Sequence, residues 1–302
     1  MSTLVVGSGF VGRAVAARLL RTGEKAVLAS RTPPPENDGP PPPWSPLDVT
    51  DPDAVRRTLD TTDAERIVLV HGPSDVTWIE ARPEAAMRAH AGAARTVLDA
   101  AGERRIVFIS TDNVFDGTVE APDETTPPRP ANAYGRAKLA AERILAEGPA
   151  TTVLRVSLVY GWEPPETTKW LNYFSSCVHR LRAGERVTAP SDQWTTPVLV
   201  EDVAAVTTAV LAASGAPLLH LGGPERISRA DWARLIARES GLPPDRVVAE
   251  PRAHGRYASR PANTCLAAPL LATHPATAGV PVRGVRDGTR LLLGRAAPPE
   301  AP

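Results

Sequence analysis

The chain has 302 residues, enough for one large domain or for a domain carrying a smaller lobe. Its 34 Lys and Arg balance 34 Asp and Glu, and a formal net charge of zero argues against a polyanion-binding surface as the main function. Two cysteines, Cys177 and Cys265, make neither a disulfide framework nor a metal-ligand pattern, and no apolar run reaches the roughly 18 residues of a membrane span. The expectation is a cytoplasmic protein with both thiols free in the core, no metal, and neither membrane nor nucleic acid as a partner.

Residues 3–6 (TLVV) read as a short buried strand that runs straight into Gly7, Ser8, Gly9, Phe10, Val11 and Gly12. Apolar residues at Val11, Val15, Leu19 and Leu20 then mark a helix. A GxGxxG turn between a strand and a helix is the setting of a dinucleotide fingerprint: the glycines admit a pyrophosphate to the backbone, and the helix N-terminus supplies N–H donors. Residues 26–29 (AVLA) are the second strand. Sites for NAD place a carboxylate at its end to accept from the ribose 2′-hydroxyl. Here Ser30 and Arg31 follow instead. Arg31 can pair with a 2′-phosphate and Ser30 can add a hydrogen bond, so NADPH is expected over NADH, which stays open.

Residues 33–46 (PPPENDGPPPPWSP) can be neither helix nor central strand, and read as an exposed polyproline-like loop. Asp51 with Pro52 predicts a helix start. Residues 66–70 and 105–110 are buried strands, 82–101 an Ala-rich helix, and 132–147 a helix carrying Tyr134 and Lys138. Residues 151–160 form a further strand, 200–213 a helix and 217–223 a strand. Residues 227–241 form an amphipathic helix opened by Ser228. Residues 242–302 look loop-rich, ending in a disordered tail (RAAPPEAP). The alternation predicts an α/β, doubly wound parallel sheet of Rossmann type with a smaller C-terminal lobe. The boundaries expected are 1–160 plus 198–223 for the cofactor domain and 161–197 plus 224–302 for the substrate lobe.

The segments STDNVFDG (110–117) and YGRAK (134–138) carry the chemistry. Tyr134 and Lys138 lie four apart and so share a helix face. An ammonium beside a phenol favours phenolate, and such a tyrosine can exchange a proton with a carbonyl or alcohol.

Together with LDVTD (47–51), RVSLVYG (155–161), SDQWTTP (191–197) and SRPANTCL (259–266), these segments resemble the extended short-chain dehydrogenase/reductase superfamily. Within it they are most similar to the dTDP-4-dehydrorhamnose reductase family. The resemblance implies that residues 7–12 line a pyrophosphate and that Asp48 and Val49 sit by the adenine. Val156 and Ser157 would flank the nicotinamide. Thr111 would orient a substrate carbonyl with Ser110 beside it, Tyr134 would donate the proton, and Lys138 would lower its pKa and hold the nicotinamide ribose. Asp112, Asn113, Trp170, Gln193 and Trp194 are candidates for the substrate pocket, and Arg180, Arg182 and Arg260 for a diphosphate. His71 and Gly72 stand where relatives approach the cofactor, although a histidine capping a strand end explains His71 as well. His90 stands where relatives carry Asn and reads as structural. Asn113 replaces a tyrosine common in the family.

The reaction implied is NADPH-dependent reduction of a keto group, on the 4-keto group of a nucleoside-diphosphate 6-deoxy sugar, by an enzyme expected to be a homodimer. Three alternatives stay open: a non-sugar ketone, a sugar-nucleotide epimerase, and a nucleotide-binding regulatory subunit without turnover.

Overall fold

A computed structural model of the protein describes residues 1–34, 41–163, 171–213, 216–253 and 257–295. The first strand, β1 (Ser2–Val6), leads into α1 (Phe10–Arg21), β2 (Lys25–Ser30), β3 (Trp44–Pro46) and α2 (Pro52–Thr61). Next come β4 (Arg66–Leu69), α3 (Val76–Glu80), α4 (Pro83–Met87), α5 (Ala93–Ala101), β5 (Arg105–Thr111), α6 (Ala133–Leu145) and β6 (Thr151–Val156). The remainder holds β7 (Val159–Tyr160), α7 (Tyr173–Arg182), β8 (Val187–Pro190), β9 (Trp194–Thr195), β10 (Val198–Leu199), α8 (Val200–Ala212) and β11 (Leu218–Leu221). It closes with β12 (Ile227–Ser228), α9 (Arg229–Glu239), β13 (Val247–Glu250), β14 (Asn263–Thr264), α10 (Pro269–Thr273) and α11 (Val285–Arg295).

Seven strands form one parallel sheet in the order β11-β6-β5-β4-β1-β2-β3. Side chains alternate across it, as the two-residue period demands. Val5, Val68 and Val107 pack with Val15 and Leu19 of α1 and Val203 and Val206 of α8 on one face. Leu4, Val6, Ile67, Leu69 and Phe108 pack with Leu59 of α2, Val97 of α5 and Leu145 of α6 on the other. The strand order turns about β1, where the crevice at the strands' C-terminal ends opens. A separate core gathers Phe174, Leu181, Trp232, Ile236 and Leu292, and binds α7, α9 and α11 into a second packing unit.

The capping expectations hold. Asp51 accepts from the backbone N–H groups of Asp53 and Ala54, and the Ser228 hydroxyl accepts from that of Asp231. Four expectations need correction. Residues 44–46 are an edge strand, not loop: Leu28 N–H donates to Pro43 O, and Trp44 Nε1 donates to the Ser30 hydroxyl. An edge tolerates proline because one side of the strand needs no partner. The helix expected over 82–101 is interrupted by a π turn at Arg88–Gly92. The strand expected over 151–160 breaks after Val156, because the Ser157 hydroxyl turns inward to Thr264 O while Leu158 O takes Val198 N–H. The loop-rich C-terminal region contains the eleven-residue α11, held to α9 by Arg286 and Arg290 on Glu239. Residues 296–302 of the tail lie outside the described residues, and so does Trp170.

Candidate active site

The glycine turn is shaped for close approach. Gly7 adopts φ +117°, a conformation costly to any side chain, and a Cβ on Gly12 would collide with Gly7 O. Gly9, the N-cap of α1, has open space where a Cβ would stand, and no side chain caps the helix. The first-turn N–H groups are therefore uncapped, which suits a pyrophosphate. Phe10 packs against Gly161, and Val11 joins the core beneath. At the end of β2, Arg31 is exposed and its charge helps hold the Asp48 carboxyl below its usual range, after the hydrogen bonds from Thr50. Val49 packs against the core below Asp48. The Ser30 hydroxyl is already committed: it donates to Thr32 O at 2.6 Å and accepts from Trp44. A contact from this hydroxyl to a 2′-phosphate would require its proton to leave Thr32 O.

Thr111 ends β5 and Tyr134 lies in the first turn of α6. Asn132 caps that helix by accepting from Gly135 N–H at 2.8 Å. The Thr111 hydroxyl lies beside the Tyr134 phenol and donates to Asp112 Oδ1 at 3.1 Å. Burial first, and the Asp112 carboxylate second, push the phenol's pKa well above its ordinary value, while the Thr111 bond pulls the other way. Burial raises the Asp112 pKa to about 6 against the hydrogen bonds it receives from Thr111, Asn113 and Ser157.

Lys138 departs from expectation. Its Nζ donates to Ile109 O at 2.6 Å and lies 3.9 Å from the centre of the Phe108 ring. Burial lowers its pKa to about 7, with Glu142 opposing. The expected lowering of the phenol's pKa by Lys138 is thus not met. One of the ammonium's three donors is taken by a backbone carbonyl, and burial with the Asp112 carboxylate keeps the resting phenol protonated.

Three further expected site residues are committed elsewhere. The Ser110 hydroxyl donates to Glu142, which is paired with Arg155 at 2.7 Å, so it serves a buried ion pair and not the Thr111–Tyr134 group. The Ser157 hydroxyl is shared among Asp112, Thr195 and Thr264 O, although Val156 beside it does end β6 next to Thr111. Asn113 accepts from Asn132 Nδ2 at 2.9 Å and donates to Asp112 Oδ1 at 2.8 Å, so its amide ties the end of β5 to the start of α6.

A cleft of about 400 Å³ adjoins Asn132 and is lined by Glu80, Asp116, Thr118, Arg252, Ser259 and Arg260 among others. Asp112, Asn113, Gln193 and Trp194 are not in its wall. Gln193 is buried with Nε2 on Pro261 O at 3.2 Å, and Trp194 is covered by Arg226. Arg260 does line the cleft. Arg180 is bound to Glu185 and Arg186 O, and Arg182 lies over Trp162. His71 Nε2 bonds Ala89 O, and Gly72, at φ +103°, packs on the His90 ring.

Sequence reasoning missed Asn132, although an asparagine three residues before a glycine at a helix start is a capping signal. It also missed Glu142, which the i,i+4 spacing from Lys138 would have singled out. No signal marked Arg252, whose place on the cleft depends on the C-terminal chain path.

The sequence matches the RmlD substrate binding domain family over residues 1–290. It is 29% identical over 272 residues to a probable low-salt glycan biosynthesis reductase of Haloferax volcanii, covering 88% of this chain and 89% of that one. It is 30% identical to a dTDP-4-keto-6-deoxy-D-glucose reductase of Streptomyces niveus, covering 81% and 80%. It is also 30% identical to methionine adenosyltransferase 2 subunit beta of Danio rerio, covering 72% and 69%. The fold superposes on dTDP-4-dehydrorhamnose reductase of Bacillus anthracis, solved in complex with NADP, with a TM-score of 0.82, 21% identity and coverage of 97% and 99%.

Proposed function

The chain belongs to the RmlD substrate binding domain family, and on that premise we propose that it is an NADPH-dependent reductase of the 4-keto group of a nucleoside-diphosphate 6-deoxy sugar. The observation that carries the reading is the juxtaposition of Thr111 and Tyr134, with a phenol held protonated and a buried lysine one turn along. A ketone reductase needs its acid charged with a proton before the reaction starts. A phenol whose pKa is raised meets that need at every physiological pH. The reductases of Haloferax volcanii and Streptomyces niveus support the reaction class.

NADPH fits the uncapped α1 N-terminus, the Gly7–Gly12 turn and Arg31, and His71 and Gly72 would lie along it. When bound, it supplies the hydride for the carbonyl carbon. The chain's own residues do the rest. Thr111 and Tyr134 bracket the carbonyl oxygen and hold it in place, which removes entropy from the barrier. Tyr134 gives its proton to the oxygen as it gains charge. Lys138 acts on the phenolate that this leaves, not on the resting phenol, and takes a ribose hydroxyl of the cofactor. The cleft beside Asn132 receives the nucleotide sugar, with Arg252 and Arg260 in its wall. Residues 1–160 plus 198–223 serve the cofactor, and 161–197 plus 224–302 serve the substrate.

NADPH oxidation with dTDP-4-keto-6-deoxy-D-glucose tests this directly. Turnover is expected, and turnover with small ketones but not with 4-keto sugar nucleotides would overturn the substrate class. A second reading, a nucleotide-binding subunit without turnover, draws on the Danio rerio relative. NADPH binding with no oxidation of any ketone would select it.

A further inference from the structure

Two histidines exchange hydrogen bonds across the cofactor side of the site. His71 follows β4, and its Nε2 bonds Ala89 O at 2.8 Å. His90, next along from Ala89, reaches back, and its Nε2 bonds Pro73 O at 3.0 Å. A carbonyl only accepts, so each Nε2 carries a proton. Burial, followed by the charge of Lys138, lowers their pKa values to about 4 and about 3, so neither ring charges near neutral pH.

The exchange falls where α4 and α5 are joined by the π turn Arg88–Gly92. It pins the loop after β4 to that turn. Gly72 lies between the two bonds, so close to the His90 imidazole that a Cβ would collide with the ring. His90 is 1% exposed, and its ring meets the Tyr134 ring in an edge-on arrangement, with centroids 5.8 Å apart. Ile79, Ala86, Ala133 and Ala137 complete the apolar packing around Tyr134. The Asp112 carboxylate beyond Thr111 acts on the phenol, and the charge of Lys138 of α6 acts on both imidazoles.

We infer that His90 is a positioning residue for Tyr134. Its bond to Pro73 O fixes the imidazole, and the fixed imidazole is the wall against which the phenol ring rests. This rests on the reading of Tyr134 as the proton donor. The bond makes the wall stiff, and its neutrality adds no charge beside a lysine that is already partly discharged by burial. Without it the ring and the loop after β4 gain freedom together, and the phenol is no longer held at the distance its proton must cross.

The test compares His90→Ala, His90→Phe and His90→Gln with Tyr134→Phe, using NADPH and dTDP-4-keto-6-deoxy-D-glucose. His90→Ala and His90→Phe are expected to lower kcat by roughly 10- to 100-fold, the cost of a small misplacement of a reacting group, with KM and NADPH affinity changed by less than about 3-fold. His90→Gln, whose amide nitrogen reaches where Nε2 sits, is expected to recover most of that loss. Wild-type kcat in His90→Phe overturns the inference, and so does an equal loss in the Phe and Gln variants, which would reduce His90 to a packing residue. If His90→Ala fails to fold, the Phe and Gln pair decides. A fully active Tyr134→Phe would sink the proton-donor reading whatever His90 does; an inactive one beside a normal His90→Phe sinks only the positioning role. Amide hydrogen exchange at residues 71–75, expected to quicken in His90→Phe and not in His90→Gln, follows the clasp without any turnover, and unchanged exchange counts against it.

Discussion

The α-carbon of Gly135 lies against the backbone carbonyl of Asn113, with no room for a β-carbon between them. This contact lets the first turn of α6 touch the turn after β5, and so brings Tyr134 to Thr111. An alanine in a helix is ordinarily worth about 1 kcal/mol over glycine. Here the sign reverses: Gly135→Ala is expected to destabilise by about 1–3 kcal/mol through overpacking and to cost most of the activity. Denaturant unfolding would measure it, and a stabilised variant would contradict the packing described.

Tyr134→Phe is expected to lower kcat about 100-fold or more while leaving NADPH affinity intact, because only the transferred proton is removed. Stopped-time assays of NADPH oxidation and a fluorescence titration separate the two effects. Thr111→Val should lose turnover in the same direction, since it removes the hydroxyl that brackets the carbonyl.

Lys138 gives the reaction a pH dependence. Its pKa is lowered from 10.5 to about 7, so its charge is lost as pH rises through about 7. The protonated phenol persists far above that point. Turnover is therefore expected to fall on the alkaline side of about pH 7, with the limb set by the lysine, and the limb should vanish in Lys138→Met. Stability runs the opposite way. The unfolded chain binds the extra proton between about 7 and 10.5, so the lysine's contribution to stability rises with pH across that window. The Lys138→Met variant should lack that rise in a pH series of unfolding curves.

Asn113→Ala separates positioning from substrate contact. It withdraws partners from Asn132 Nδ2 and Asp112 Oδ1. The expected costs are about 1–3 kcal/mol of stability and a lowered kcat. A raised KM with normal kcat would return Asn113 to the substrate pocket.

Arg31→Ala is expected to raise the KM for NADPH by about 10- to 100-fold, the worth of one charge-assisted pair, and to leave the KM for NADH nearly unchanged. Equal effects on both cofactors would remove the 2′-phosphate from its role.

The sheet, the glycine turn and the caps at Asp51 and Ser228 were legible because period, turn residues and capping side chains act within a few positions of each other. The resemblance named Thr111 and Tyr134 together, and they lie side by side where β5 ends and α6 begins. What stayed hidden was which polar groups were already taken. Ser110 is claimed by Glu142, Ser30 by Trp44, Ser157 by Thr264 and Asn113 by Asn132. Each claimant lies 14 or more residues away, and a hydroxyl looks the same in a sequence whether it is free or spent. The carbonyl partner of Lys138 was hidden for the same reason: Ile109 is on another element.

The edge strand made from the end of the proline-rich segment has a consequence for the molecule's company. A parallel sheet that ended at β2 would offer a row of free N–H and C=O groups to any passing extended chain. Residues 44–46 occupy that row, and Pro46 brings no N–H of its own to the outer side. A sequence that looks like filler thus covers β2 and leaves a short, proline-bearing strand as this edge of the sheet. It does so at the strand beside Ser30 and Arg31, where an added chain would crowd the end of β2.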